Sequence, residues 1–163
     1  MEKKYSTIFL ISMAIIMCIL KFYSNVLTLF IVLSTVPIYI ISKKSPSTGL
    51  LTYIIVFLFI LSTDYYHSII FLFFYGVIGV FPGMFSHYSN KNILISIING
   101  VILAISINGM NMTLRTSILS IQYSNGILLQ GLILLFSIVC SFVTLVICNY
   151  IYDTLYKIEN ISN

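Results

Sequence analysis

The 163-residue chain is 60% hydrophobic and only 7% charged, with mean hydropathy +1.09 and a formal net charge of +4. A soluble domain carries about a quarter charged residues, so this composition cannot cover a water-facing surface and places the chain in a lipid bilayer. Its eight basic residues are dispersed along the sequence rather than clustered, which excludes a nucleic-acid footprint.

A helix crossing the hydrocarbon core needs about 20 residues. Six apolar runs qualify as spans, and together they leave no room for a separate soluble domain. The expected fold is therefore all-α, a single membrane bundle of six transmembrane helices over residues 1–163. Span one covers about 5–20. Lys3 and Lys4 precede it, but no small-residue cleavage site follows, so it is expected to be retained. Span two, about 26–41, contains Pro37 and stops at Ser42-Lys43-Lys44. Ser45-Pro46 reads as a helix cap followed by proline in the first turn, so span three runs over about 46–61.

A compact polar turn, Thr63-Asp64-Tyr65-Tyr66-His67, introduces span four at about 68–85. There Gly76, Gly79 and Gly83 fall at i, i+3 and i+7, on one helical face. Such a stripe lets a second helix approach closely where lipid supplies no hydrophobic drive; it is read as a packing seam or as something more specialised. Pro82 removes a backbone donor and frees the carbonyl of Ile78, so a kink is expected. Span five, about 92–108, sets Ser96, Gly100, Ala104 and Asn108 at four-residue steps, a small-residue face expected to pack on that stripe, with Asn99 near the opposite rim. Leu114, Ile118 and Ile121 then recur at i, i+4 and i+7, which fits either a short interfacial helix over 114–123 or a connecting loop. Span six, about 127–150, carries Gln130, Ser137, Ser141, Thr144 and Cys148 along one side, which must face protein.

An even number of spans puts both termini on one side. With that side cytoplasmic, the inner segments hold Lys3, Lys4, Lys43, Lys44, Lys91 and Lys157 and the outer ones only Lys21 and Arg115, so the chain is expected N-in and C-in. Asp64, Tyr65 and His67 then share the outer side with Asn108, Asn111 and Arg115. Asp64 and His67 could bind a cation or an ammonium group, with Tyr65 and Tyr66 adding a cation–π face. Arg115 with the two asparagines could receive a carboxylate or phosphate. The alternative is a hydrated loop whose tyrosines anchor helix ends at the interface. Catalysis is not expected: there is no HExxH, no GxSxG and no carboxylate pair within a span. Cys18, Cys140 and Cys148 lie in apolar runs without metal-ligand spacing, so no metal or cofactor is expected.

The central region carries Pro37-Ile38-Tyr39-Ile40-Ile41-Ser42-Lys43-Lys44, then Gly49-Leu50-Leu51-Thr52-Tyr53, then the run from Phe71 to Gly83 with its closing glycine pair. Over about residues 30–110 this pattern resembles the YybS-type membrane proteins of Firmicutes, which are related to the S components of energy-coupling-factor transporters. The resemblance implies an S-component-like six-helix fold and a ligand pocket opening outward, capped by the loops after spans one, three and five. It further implies a membrane partner such as a coupling subunit, in a bacterial cytoplasmic membrane; of the small-xxx-small pair that S components carry in span one for such docking, only Ala14-x-x-x-Cys18 comes close here. The function expected from it is capture of a small vitamin-like or ionic solute for partner-driven uptake. The chain is also similar in size and span count to the MreD-like rod-shape proteins, which would imply a scaffold whose glycine seams bind other membrane proteins.

Overall fold

The computed structural model describes residues 9–16, 33–114 and 127–161, and among these there are helices and short turns but no strand. The helices are α1 (9–16), α2 (Thr35–Lys44), α3 (Pro46–Leu61), α4 (Tyr65–Tyr88), α5 (Asn92–Leu114) and α6 (Ile127–Ile161). By length and composition, α4, α5 and the Leu129–Lys157 part of α6 can each cross a membrane. The sixteen residues of α3 rise about 24 Å, somewhat short of a hydrocarbon core of about 30 Å.

Helix boundaries follow hydrogen bonding rather than hydropathy, and several therefore differ from the expected spans. Helix α3 starts at Pro46 and ends at Leu61 as expected, with extended Ser45 before it and the proline in its first turn. By contrast, α2 continues through the polar break to Lys44, where Ser42 Oγ donates to the carbonyl of Ile38 (2.8 Å) and His87 Nδ1 donates to the carbonyl of Lys43 (2.8 Å). Helix α4 begins at Tyr65 because the Asp64 side chain accepts from the free amide of His67. Helix α5 passes Asn108 and ends at Leu114, and α6 passes Tyr150 and reaches Ile161. Polar residues end a bilayer crossing, but they do not end a hydrogen-bond ladder. The rest of the 114–123 segment, both ends of span one and the start of span two lie outside the described residues.

Within α4 the turn Phe71–Tyr75 is π-helical, a feature the sequence did not announce. After it the helix runs unbroken from Gly76 to Tyr88 with Pro82 inside it.

The glycine stripe is where backbones meet. A Cβ at Gly79 would lie 3.0 Å from the carbonyl oxygen of Thr35, and one at Gly83 would lie 2.6 Å from that of Tyr39. Only glycine lets α2 lie this close along the second half of α4. Gly76 is covered instead by the ring of Tyr53 from α3. The expected pairing of the α5 small-residue face with this stripe is therefore corrected, since α2 and α3 already occupy the stripe. Gly100 closes on α6, where a Cβ would come 2.7 Å from Ile138 Cα, and Ser96 Oγ turns back to the carbonyl of Asn92 (2.8 Å). Ala104 does reach α4, in a cluster with Val77, Ile78 and Ile133. Asn99 is fully buried, and its Nδ2 donates to Ser141 Oγ on α6 (2.8 Å). On the polar side of α6, Ser137, Ser141 and Cys148 are buried and Thr144 half-buried as expected, but Gln130, near the start of the helix, is exposed.

If these contacts set the fold, Gly83→Val should lower stability by about 1–3 kcal/mol through overpacking against backbone, read as a lower Tm in detergent. Gly131→Ala, with nothing among the described residues within 4 Å of the added carbon, should leave Tm unchanged. Equal effects of the two substitutions would refute the close approach.

Candidate functional site

A π-turn inserts an extra residue into a helical ring, so carbonyls near it lose their regular partners. In lipid such a group has no water to turn to. The Tyr53 hydroxyl answers this by donating to the carbonyl of Leu72 (2.7 Å), while its ring stacks on Phe71 at 6.0 Å and covers Gly76. The distorted turn is thus held from the α3 side. On its other side Phe74 and Tyr75 meet edge to face, with ring centroids 5.2 Å apart.

These two rings form one wall of an apolar cavity of about 310 Å³, completed by Ile70 from α4, Ile107 and Met110 from α5, and Ile133 and Phe136 from α6. Its size is near the lower end for ligand pockets, and its mainly apolar lining is typical of them. One helical turn beyond Ile107, on the same face of α5, stands Asn111. Its Oδ1 is buried and has no hydrogen-bond partner among the described residues. A buried carbonyl left unpaired costs about 1–3 kcal/mol, so this acceptor is poised for a donor.

The sequence-derived outer residues fall around this end of the molecule, where α4 begins and α5 ends. Asp64 and His67 engage each other: His67 Nδ1 lies 2.5 Å from Asp64 Oδ2, and the His67 amide lies 3.2 Å from Asp64 Oδ1. Both side chains remain about one-third exposed. Tyr65 is exposed, and Tyr66 sets its ring edge-on to His67 at 5.5 Å. Asn108 is exposed on α5, one position from the cavity-lining Ile107. Arg115 lies outside the described residues. The N-terminal start of α4 and the end of α5 are in contact, so the structure gathers Asp64, His67 and Asn111 near one end.

A second polar group, at the opposite end of α4 and α5, was not foreseen. Tyr39 and Lys43 of α2 meet Asn149 of α6, whose Oδ1 takes hydrogen bonds from the Tyr39 hydroxyl (2.6 Å) and from Lys43 Nζ (2.7 Å). Ser86 Oγ lies 3.1 Å from the same hydroxyl, and Asn149 Nδ2 donates to Asn92 Oδ1 (3.3 Å). Lys43 Nζ also sits 4.2 Å from the centroid of the Tyr152 ring. Burial lowers the pKa of the Lys43 ammonium, and the charge of Asp153 opposes that shift. The four-residue spacings Tyr39–Lys43 and Asn149–Asp153 were the available signals, since each puts two polar groups on one helical face. No group of three or more His, Cys, Asp or Glu side chains that could hold a metal occurs among the described residues.

Removing the Tyr53 hydroxyl isolates the support of the π-turn. Tyr53→Phe should cost about 1–3 kcal/mol by stranding the Leu72 carbonyl, and should speed hydrogen exchange over residues 72–77. An unchanged Tm with unchanged exchange would mean that the turn does not need this hydrogen bond.

In comparison with known proteins, no family model, no curated protein and no solved structure matches this chain.

Proposed function

We propose that this protein is a non-catalytic, S-component-like membrane subunit. On this reading it captures a small, vitamin-like solute in the cavity beside the π-turn, for uptake driven by a partner subunit. The observation that carries the proposal is the apolar cavity with the Oδ1 of Asn111, unpartnered among the described residues, one turn beyond its α5 wall. The solute that suits it is largely apolar with one hydrogen-bond donor, such as an amide, hydroxyl or amine. A purely ionic solute fits less well, because Asp64 and His67 satisfy each other.

The orientation supports capture from outside. Lys43, Lys44, Lys91 and Lys157 gather at the far end, and the positive-inside rule assigns that end to the cytoplasm. In this arrangement six spans cross the membrane and the termini lie inside. The resemblance of residues 30–110 to the S-component relatives points the same way, and it makes a coupling subunit the natural partner. An MreD-like scaffold would need its glycine seam free for another protein, whereas Gly79 and Gly83 are already closed on α2.

Native mass spectrometry of the gently purified protein should show a co-purifying small molecule. Ile70→Trp, which fills the cavity, should abolish its retention. Asn111→Leu should weaken retention about tenfold, the worth of one hydrogen bond to a buried group. Retention of the same molecule by the Ile70→Trp protein, or a ligand-free wild type from cells and from solute-rich medium alike, would overturn the proposal.

A further inference from the structure

The polar group at the lysine end encloses a cavity of about 260 Å³, separate from the proposed solute site and independent of it. Two of its walls carry opposite charges, Lys43 from α2 and Asp153 from α6. Among the described residues no ion pair joins them, although the charge of Asp153 reaches Lys43. Lys43 spends one of its three donors on Asn149 and has two to offer. The remaining walls, Ser86, Ser89, Asn90 and Asn92 among them, present hydroxyls and amides that can donate or accept. Opposite charges facing one polar cavity without neutralising each other suit a ligand that is itself a zwitterion.

The level of the cavity in the membrane narrows the choice. Helix α4 ends at Tyr88 and α5 begins at Asn92, so the turn between them marks the edge of the bilayer, and Ser89 and Asn90 of that turn line the cavity. The apolar run of α6 likewise gives way there to Asn149 and Asp153. This is the depth of phospholipid headgroups. The residues next to the charged pair, Lys44 and Tyr152, line a mainly apolar cavity of about 210 Å³ with Ile40 and Leu155. A polar cavity beside an apolar one, at headgroup depth, matches a lipid better than a free solute, and basic pockets between helices on the cytoplasmic side are known lipid sites.

We infer that the Lys43–Asp153 cavity binds the headgroup of an aminophospholipid, with the phosphate on Lys43 and the primary ammonium on Asp153. The neighbouring apolar cavity takes the start of an acyl chain. Phosphatidylglycerol offers no cation to Asp153, and the quaternary ammonium of phosphatidylcholine offers it no N–H donor.

The test is native mass spectrometry of the detergent-purified chain titrated with dioleoyl phosphatidylethanolamine, phosphatidylglycerol or phosphatidylcholine. The expected result is phosphatidylethanolamine adducts surviving about tenfold better than either of the others, the worth of one charge-assisted hydrogen bond. Lys43→Gln should weaken every adduct. Asp153→Asn, at an exposed position where folding is not at stake, should erase the preference for phosphatidylethanolamine over phosphatidylglycerol. Equal retention of the three lipids by the wild type, or a preference that survives Asp153→Asn, would overturn the inference. Full displacement of the lipid by an equal concentration of soluble glycerophosphoethanolamine would overturn the lipid assignment, because the apolar cavity would then contribute nothing.

Discussion

The rest of the structure depends on one constraint: in lipid, helices gain nothing from the hydrophobic effect and associate through close packing and interhelical hydrogen bonds. Here the contact is backbone on backbone, where Gly79 and Gly83 of α4 meet the carbonyls of Thr35 and Tyr39. Once α2 lies in that groove, its Tyr39 and Lys43 are carried to the edge of α6, and the α2–α6 polar cluster follows. The same placement leaves the Gly76 edge to α3, whose Tyr53 supplies both a ring to cover the glycine and a hydroxyl for the π-turn. A methyl group at Gly79 or Gly83 would press on α2 and disturb the polar cluster that α2 carries to α6.

The two ends differ in chemistry because they solve different problems. At one end the π-turn carries Phe74 and Tyr75 to the edge of a hollow that α5 and α6 only partly fill, leaving an apolar cavity beneath a small polar rim. At the other end polar side chains from three long helices and α2 converge on a lysine held by an amide and an aromatic face. Between them α5 is stitched to α6 at depth by the Asn99–Ser141 hydrogen bond, beside the buried hydroxyl of Ser137. A solute site at one end and a lipid-headgroup site at the other would let the molecule be anchored by one face while it exchanges ligand at the other.

How much of this could be read from the residues depended on whether the signal was local. That the chain forms helices long and apolar enough to cross a membrane was legible from composition and hydropathy. The start of α3 at Pro46 and its end at Leu61 were legible because capping and proline chemistry act within a few residues. Gly76, Gly79 and Gly83 were recognisable as a seam, but not the helices that fill it, because small residues license contact without choosing a partner. Gly100 and Ser96 were misassigned for that reason. The π-turn in Phe71–Tyr75 has no sequence signature, so the cavity it helps to form was hidden as well. Asp64 was noticed for its charge, whereas its visible work is to cap α4 and hold His67. The Tyr39–Asn149 contact spans 110 residues, a distance at which periodicity carries no information.

The proposed orientation connects the cavity, the lysine end and the direction of uptake, and sided thiol labelling tests it most directly. Single cysteines at Tyr65 and at Asn90, both exposed, would be placed in a background with Cys18, Cys140 and Cys148 replaced by serine or alanine. Right-side-out bacterial membrane vesicles would then be treated with a membrane-impermeant maleimide. Labelling at position 65, with position 90 labelled only after the vesicles are opened, is the result that the orientation requires. Labelling at position 90 but not at 65 in sealed vesicles would contradict it and turn the solute cavity toward the cytoplasm.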